Sequence, residues 1–243
     1  MSKRSKKRLD VLLVERGLAE SRSQAQALVL AGRVKGFDKA GEQVDETATL
    51  DVDAGPRFVS RGGEKLAHAL DAFEIDVTGA DCLDVGASTG GFTDCLLQAG
   101  AARVCALDVG HGQLHPRLRD DPRVTVLERV NVRHLGCEDL PFRPAFVTCD
   151  VSFIGLAKAL PPALACAETG WRALVLVKPQ FEAGPEEVGK GGVVRDPDVQ
   201  HRVVDEVAAS ASEWGARVQG TTESPLRGPK GNREFFLYLT GEG

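Results

Sequence analysis

Apolar positions in the first fifty residues recur in short bursts at helical spacing. Leu9, Leu12 and Leu13 lie three and four apart and precede Gly17, a natural stop. Ser21-Arg22-Ser23-Gln24 fits a capping box, with Ser21 accepting a first-turn N–H and Gln24 reaching back. Ala25, Leu28 and Val29 then share a helix face that ends at Gly32. Val34, Val44 and Thr49 to Val52 predict short extended runs around a turn at 36–41. After Asp53-Ala54-Gly55-Pro56 the pattern changes. Compact apolar runs at Cys82 to Val85, Val104 to Asp108, Val124 to Leu127, Ala145 to Cys149 and Ala173 to Lys178 predict buried strands. Helical stretches separate them, from Gly90 to Ala99 and from Phe153 to Ala167. Asp196 caps a further helix with Pro197 at its first position, running to about Trp214. Strands at Arg217 to Gln219 and Phe235 to Leu239 close the set. Strands alternating with helices predict a doubly wound, Rossmann-like α/β sheet behind a small N-terminal α+β domain. The expected division is a domain over 1–55, a linker over 56–62 and a second domain over 63–243. The stretch from Ala183 to Val194 holds four glycines and predicts a mobile loop beside the site.

Composition narrows the class. The chain has 243 residues, 42% hydrophobic and 27% charged, which suits a globular fold. No apolar run approaches the ~20 residues that span a bilayer. The basic start is not followed by an apolar secretory core, so export and a membrane partner are not expected. The six cysteines form no C-x-x-C and several sit in strand-like runs. No disulfide framework, no metal site and a reducing cytoplasmic setting are expected. Net charge is −5, but residues 1–59 carry +2 and the remainder −7. Five of the first eight residues are basic, including Arg4, Lys6, Lys7 and Arg8. With Arg22, Arg33 and Lys35 they are candidate RNA phosphate contacts.

The first strand of the larger domain runs into Asp84-Val85-Gly86-Ala87-Ser88-Thr89-Gly90-Gly91-Phe92 and then a helix. Glycines there let a ligand meet the backbone at the sheet rim. The spacing G-x-x-x-G-G is not that of dinucleotide binders, and no Lys-Ser/Thr follows as in a phosphate loop. Gly86, Ser88, Gly90, Gly91 and Phe92 form a candidate loop for a nucleoside cofactor, S-adenosylmethionine ahead of NAD. Asp84 supports the methionine ammonium through its shell, Asp108 accepts the ribose hydroxyls, and Asn131 meets adenine N6.

Four charged residues are expected on that rim. Asp150 ends the fourth strand, Lys178 ends the fifth, Glu234 begins the last, and Lys65 lies early in the preceding helix. This set suits 2′-O-methylation. A ribose hydroxyl is a very weak acid and must lose its proton as it attacks the sulfonium methyl, so a lysine base flanked by carboxylates is apt. Lys178, at the end of the most apolar strand and aimed by Pro179, is the expected base.

Two resemblances follow from these residues. Arg8-Leu9-Asp10, Leu13, Gly17-Leu18-Ala19, Ser21-Arg22, Ala25, Leu28, Gly32 and Val34 resemble the S4-type RNA-binding domain, although Gly36-Phe37 departs from its usual turn. Ser60 to Leu66, Asp84 to Asp94, Asp108 to Leu114, Cys149 to Ile154, Val177 to Glu182 and Asn232 to Leu237 resemble the TlyA family, often labelled hemolysin A. That family joins an S4-type domain to an FtsJ-like methyltransferase domain. The resemblance implies a Lys65, Asp150, Lys178, Glu234 tetrad, S-adenosylmethionine as cofactor, and methylation of cytidine ribose in ribosomal RNA or ribosomal subunits. Alternatives are a base N-methyltransferase, a nicotinamide oxidoreductase, a non-catalytic RNA-binding or ribosome assembly factor, and a membrane-active cytolysin. The first lacks its Asn/Asp-Pro-Pro-aromatic run, since this chain has Asp150-Val151-Ser152-Phe153. The second is disfavoured by the glycine spacing. The assembly factor leaves the tetrad unexplained, and the cytolysin lacks an apolar segment to insert.

Overall fold

The computed structural model describes residues 5–53 and 55–241. It divides into two compact units, 1–57 and 58–243. Residues 58–62 of the expected linker therefore pack with the second unit, where Phe58 is buried.

The first unit contains β1 (Lys6–Arg8), α1 (Leu9–Glu15), α2 (Arg22–Leu30) and β2 (Gln43–Asp45). Leu9, Leu12, Leu13, Ala25, Val29, Val34 and Val44 close its core. Ser21 caps α2 by accepting from the N–H of Gln24 at 3.2 Å. The Gln24 amide reaches one residue further back than a capping box requires, accepting from the N–H of Glu20. The basic run has structure that the apolar pattern did not predict, and one expectation is corrected. The basic run is partly a strand, since β1 pairs antiparallel with β2. The extended runs at Val34 and Thr49 to Val52 reduce to one bridge between Val34 and Val52.

The second unit runs α3 (Arg61–Ala72), β3 (Asp81–Val85), α4 (Gly91–Gln98), β4 (Arg103–Asp108), α5 (Pro116–Arg119), β5 (Val124–Glu128) and β6 (Phe146–Cys149). It continues α6 (Leu156–Ala165), β7 (Arg172–Val177), α7 (Pro179–Glu182), α8 (Pro197–Ser210), β8 (Ala216–Glu223) and β9 (Phe235–Gly241). The strands form one sheet in the order β5-β4-β3-β6-β7-β9-β8. The first five are parallel, and β9 inserts antiparallel between β7 and β8. The order reverses between β3 and β6, and ligands bind at the carboxyl rim of such a switch point. One apolar cluster, with Leu83, Val147, Leu160 and Leu237, covers one face of the sheet. A second, with Leu66, Leu96, Phe146 and Phe236, covers the other. Both faces of the central strands are covered, which is why those runs read as unbroken apolar stretches.

Three departures matter for the site. The helix expected from Phe153 starts at Leu156, because Phe153 takes φ +65° in a turn. β8 extends to Glu223, beyond the expected Gln219, because its alternating burial at the sheet edge admits Thr221 and Thr222. Against the expectation of no disulfide framework, Cys137 and Cys166 form one disulfide, with Cα atoms 4.9 Å apart. A short 3₁₀ turn at Cys137–Asp139 meets the C-terminal end of α6, a contact that 29 residues of separation hide from spacing rules. Cys82, Cys95, Cys105 and Cys149 are buried and lie outside this disulfide.

Candidate active site

The glycine loop takes its shape from close backbone approach. Gly86 has φ +84°, and a Cβ there would stand 2.5 Å from the Asp150 carbonyl oxygen. Glycine is thus required twice over, for conformation and for space. A Cβ on Gly91 would stand 2.2 Å from Ser60 Oγ and 2.9 Å from the Gly63 nitrogen, so Gly91 lets α4 pack on α3. Gly90, at φ +97°, caps α4 against Leu114 and Leu118.

Asp108 pins this loop. Its carboxylate accepts from the Ser88 N–H at 2.8 Å and from the Gly110 N–H at 2.6 Å. Ser88 itself holds φ +50°, a conformation uncommon for a residue with a side chain. Asp84 lies beneath the loop, fully buried, and accepts from Thr93 Oγ1 at 2.7 Å and Thr148 Oγ1 at 3.0 Å. Burial pushes its carboxyl up to about 6, against the pull of those two hydrogen bonds. Asp84 lines neither of the two cavities on this rim.

The larger of these cavities, about 880 Å³, is walled by Gly86, Ser88, Asp108, Asn131, Val132 and Phe153, among others. Asn131 also caps a short 3₁₀ turn, accepting from the Arg133 N–H at 3.1 Å. The second, about 460 Å³, shares Gly86, Ser88, Asp150 and Ser152 with the first. Its walls hold Lys65, Asp150, Lys178 and Glu234, together with Gly91 and Phe92. All four residues expected on the rim thus face one space.

They form two ion pairs. Lys65 Nζ donates to Glu234 Oε2 at 2.5 Å, and both side chains are buried. Lys178 Nζ lies against Asp150 Oδ1 and donates to Ser152 Oγ at 3.1 Å. The topology explains the meeting. β9 runs antiparallel to β7 with Phe235 opposite Val177, so the start of one strand adjoins the end of the other.

Sequence reasoning missed the aromatic at this mouth. Phe153 is 91% exposed and rests on Phe181, with ring centroids 5.1 Å apart. Its only sequence signal was its place two residues after Val151 in the run that follows β6. Ser152 and Pro229 were also missed as cavity walls.

The basic residues of the first unit are more engaged than expected. Asp10, fully buried, accepts two hydrogen bonds from Arg8 at 3.0 and 2.9 Å, one from Arg22 at 3.1 Å and one from Gln26 at 2.9 Å. The Arg8 hydrogen bonds, with those of Gln26 and Arg22, hold its carboxyl far below the usual carboxylate range. Lys7 pairs with Glu15, and Lys35 with Asp51. Arg33 lies against Gly55, and Lys6 is in β1. Arg4 lies outside the described residues.

The FtsJ-like methyltransferase family model matches residues 58–240, and the S4 domain model matches residues 7–35. Over 238 residues the chain is 51% identical to the 16S/23S rRNA (cytidine-2′-O)-methyltransferase TlyA of Mycobacterium tuberculosis. That match covers 96% of this chain and 89% of the relative. The chain belongs to the TlyA family of FtsJ-like methyltransferases. Other TlyA relatives carry a different label. Hemolysin A of Brachyspira hyodysenteriae is 40% identical, with 96% of this chain and 99% of that protein covered. A solved Streptococcus thermophilus protein described as a hemolysin superposes with a TM-score of 0.75 at 42% identity. That superposition covers 98% of this chain and 90% of the other. Among the described residues of this TlyA family chain, no helix is long and apolar enough to cross a membrane.

Proposed function

We propose that the protein transfers a methyl group from S-adenosylmethionine to the 2′-hydroxyl of a cytidine ribose in ribosomal RNA. The observation that carries this reading is the space in which two lysine–carboxylate pairs meet the glycine loop. The M. tuberculosis relative, a cytidine-2′-O methyltransferase of 16S and 23S rRNA, supports the choice of nucleotide and of partner. Such substrates place the protein in the cytoplasm.

The rim fits the cofactor. Its larger cavity is of small-molecule size, and Gly86 keeps one wall free of a side chain. Asp108 would accept from the ribose hydroxyls and Asn131 would meet the adenine. Gly86, Ser88, Gly90, Gly91 and Phe92 shape the loop, and Asp84 acts from beneath it. When bound, this cofactor supplies a methyl group made electrophilic by its sulfonium.

The chain's own residues deal with the proton and the charge. Lys178 in its amine form takes the 2′-hydroxyl proton. Asp150 stabilises the ammonium that results, and Ser152 holds the side chain in place. Lys65 presents a buried cation to the oxygen as negative charge develops, and Glu234 fixes its direction. Phe153 offers the target base a face on which to stack once it leaves its neighbours. Lys6, Lys7, Arg8, Arg22, Arg33 and Lys35, with Arg4 beyond the described residues, supply phosphate contacts from the first unit.

Mass mapping of ribose methylation tests the reading. Purified protein, S-adenosylmethionine and ribosomal RNA or subunits are expected to yield a cytidine 2′-O-methyl group. Titration is expected to show S-adenosylmethionine bound and NAD not bound. Absence of methylation on every ribosomal substrate, or binding of NAD alone, overturns the reading.

A further inference from the structure

A second cleft, about 710 Å³, opens on the other side of the segment that precedes β9. Its walls hold Arg195, Arg227, Lys230 and Arg233 against one carboxylate, Glu223. Arg233 is committed. It donates to both oxygens of Glu223 at 2.7 and 2.5 Å, bonds Gln200 at 3.2 Å, and lies over the Phe235 ring. Among the described residues, Arg195, Arg227 and Lys230 make no ion pair. Arg227 makes a single hydrogen bond of 3.1 Å, to the Gly231 carbonyl. Arg227 shares the field of Glu223 with Arg233, so four cations, which repel one another, face a single carboxylate and leave the cleft positive. An anion between them relieves that repulsion.

The cleft is braced. Asn232, buried, accepts from the Val194 N–H at 3.0 Å and donates to the Gly192 carbonyl at 2.9 Å. Gln200, also buried, donates to the Val194 carbonyl at 2.7 Å. These bonds tie the glycine-rich segment to the residues just before β9 and to α8. The same short segment faces two ways, for Pro229 lines the space around Lys65 and Glu234 while Arg227 and Lys230 line the cleft. One loop therefore separates the reacting ribose from the cationic walls.

We propose that this cleft takes a phosphodiester of the RNA strand adjoining the nucleotide whose ribose enters the reaction cavity. The proposal rests on the functional reading above. A phosphodiester carries one negative charge and two exposed oxygens, which suit a lysine point charge and an arginine fork. Free inorganic phosphate shares that chemistry, so the test separates the two.

The full-length Arg227→Ala/Lys230→Ala protein is to be compared with wild type in rRNA binding across a salt series. The expected result is roughly ten-fold weaker binding, with the slope of log affinity against log salt reduced by roughly 1 to 2. S-adenosylmethionine affinity and thermal midpoint are expected to stay unchanged. The charge-preserving Arg227→Lys/Lys230→Arg protein is expected to restore the slope. A variant with wild-type RNA affinity and slope, alongside a wild type that methylates RNA, overturns the phosphodiester site and leaves the functional reading intact. Inorganic phosphate bound tightly by wild type and lost in the double variant, with RNA binding unmoved, overturns it in favour of a free anion. A wild type that neither binds nor methylates RNA removes the functional reading and this proposal together.

Discussion

At Lys178 the roles of charge and proton acceptor can be separated. Lys178→Ala is expected to lower single-turnover methylation by roughly 10²–10⁴-fold while sparing cofactor binding, since the group acts in the transition state. Lys178→Arg keeps the cation beside Asp150 but cannot give up its proton, so it is expected to fail as well. Near-normal rates for the arginine variant would leave Lys178 with electrostatic positioning only. Asp84 carries a different kind of expectation. Its carboxyl sits at about 6 in the fold, above the ordinary unfolded value. Between about pH 4 and 6 the folded chain holds this proton and the unfolded chain does not. Stability from this group is therefore present at low pH and lost as pH rises through about 6, by about 3 kcal/mol at neutrality. Asp84→Asn is expected to raise the thermal midpoint at neutral pH and to lose that advantage at about pH 4. Calorimetry across this range checks it, and a gap that does not change with pH would sink it. The same variant is expected to weaken S-adenosylmethionine binding.

Elements place these residues through contacts that admit no side chain. The turn after β3 and the end of β6 touch at Gly86 and Asp150. A methyl group at Gly86 meets backbone, which cannot swing aside, and φ +84° adds strain of about 1–3 kcal/mol. Gly86→Ala is expected to lower both stability and cofactor affinity, because relieving the clash moves Asp150 away from Lys178. Thermal melts with cofactor titration check this, and a variant destabilised yet binding at full affinity would separate the turn from the site. The start of this loop was legible in the sequence, because a strand followed by clustered glycines and a helix has few other uses. The turn at Ser152 to Gly155 was not. A positive φ at Phe153 carries no propensity signal, and an apolar run through Ile154 and Leu156 looks helical from its first residue.

On the scale of the whole molecule, each unit closes its own core. One apolar cluster lies within residues 9–52, and two lie within residues 58–239. Removing residues 1–57 is expected to leave a folded methyltransferase unit that binds S-adenosylmethionine and has lost much of its RNA affinity and salt dependence. Circular dichroism with RNA titrations in several salt concentrations checks this. Unchanged affinity and slope would show that the first unit is not the RNA anchor. Its surface supports a more exact expectation. Arg8 and Arg22 grip the buried Asp10, so replacing either one is expected to cost stability as well as RNA affinity.

Local pattern by itself determined the two units, the alternation of strands and helices, the glycine loop, and the four charged residues at strand and helix ends. Those features depend on neighbours within a few residues, where periodicity, caps and turn chemistry act. Tertiary structure alone decided the pairing of those charges. Lys65 and Glu234 are 169 positions apart and meet because β9 enters the sheet antiparallel beside β7. It likewise decided the bond between Cys137 and Cys166 and the burial of Asp10 between two arginines. It gathered Arg195, Arg227 and Lys230 around one cleft. Each is a contact between distant segments, fixed by how layers pack rather than by the residues that flank it.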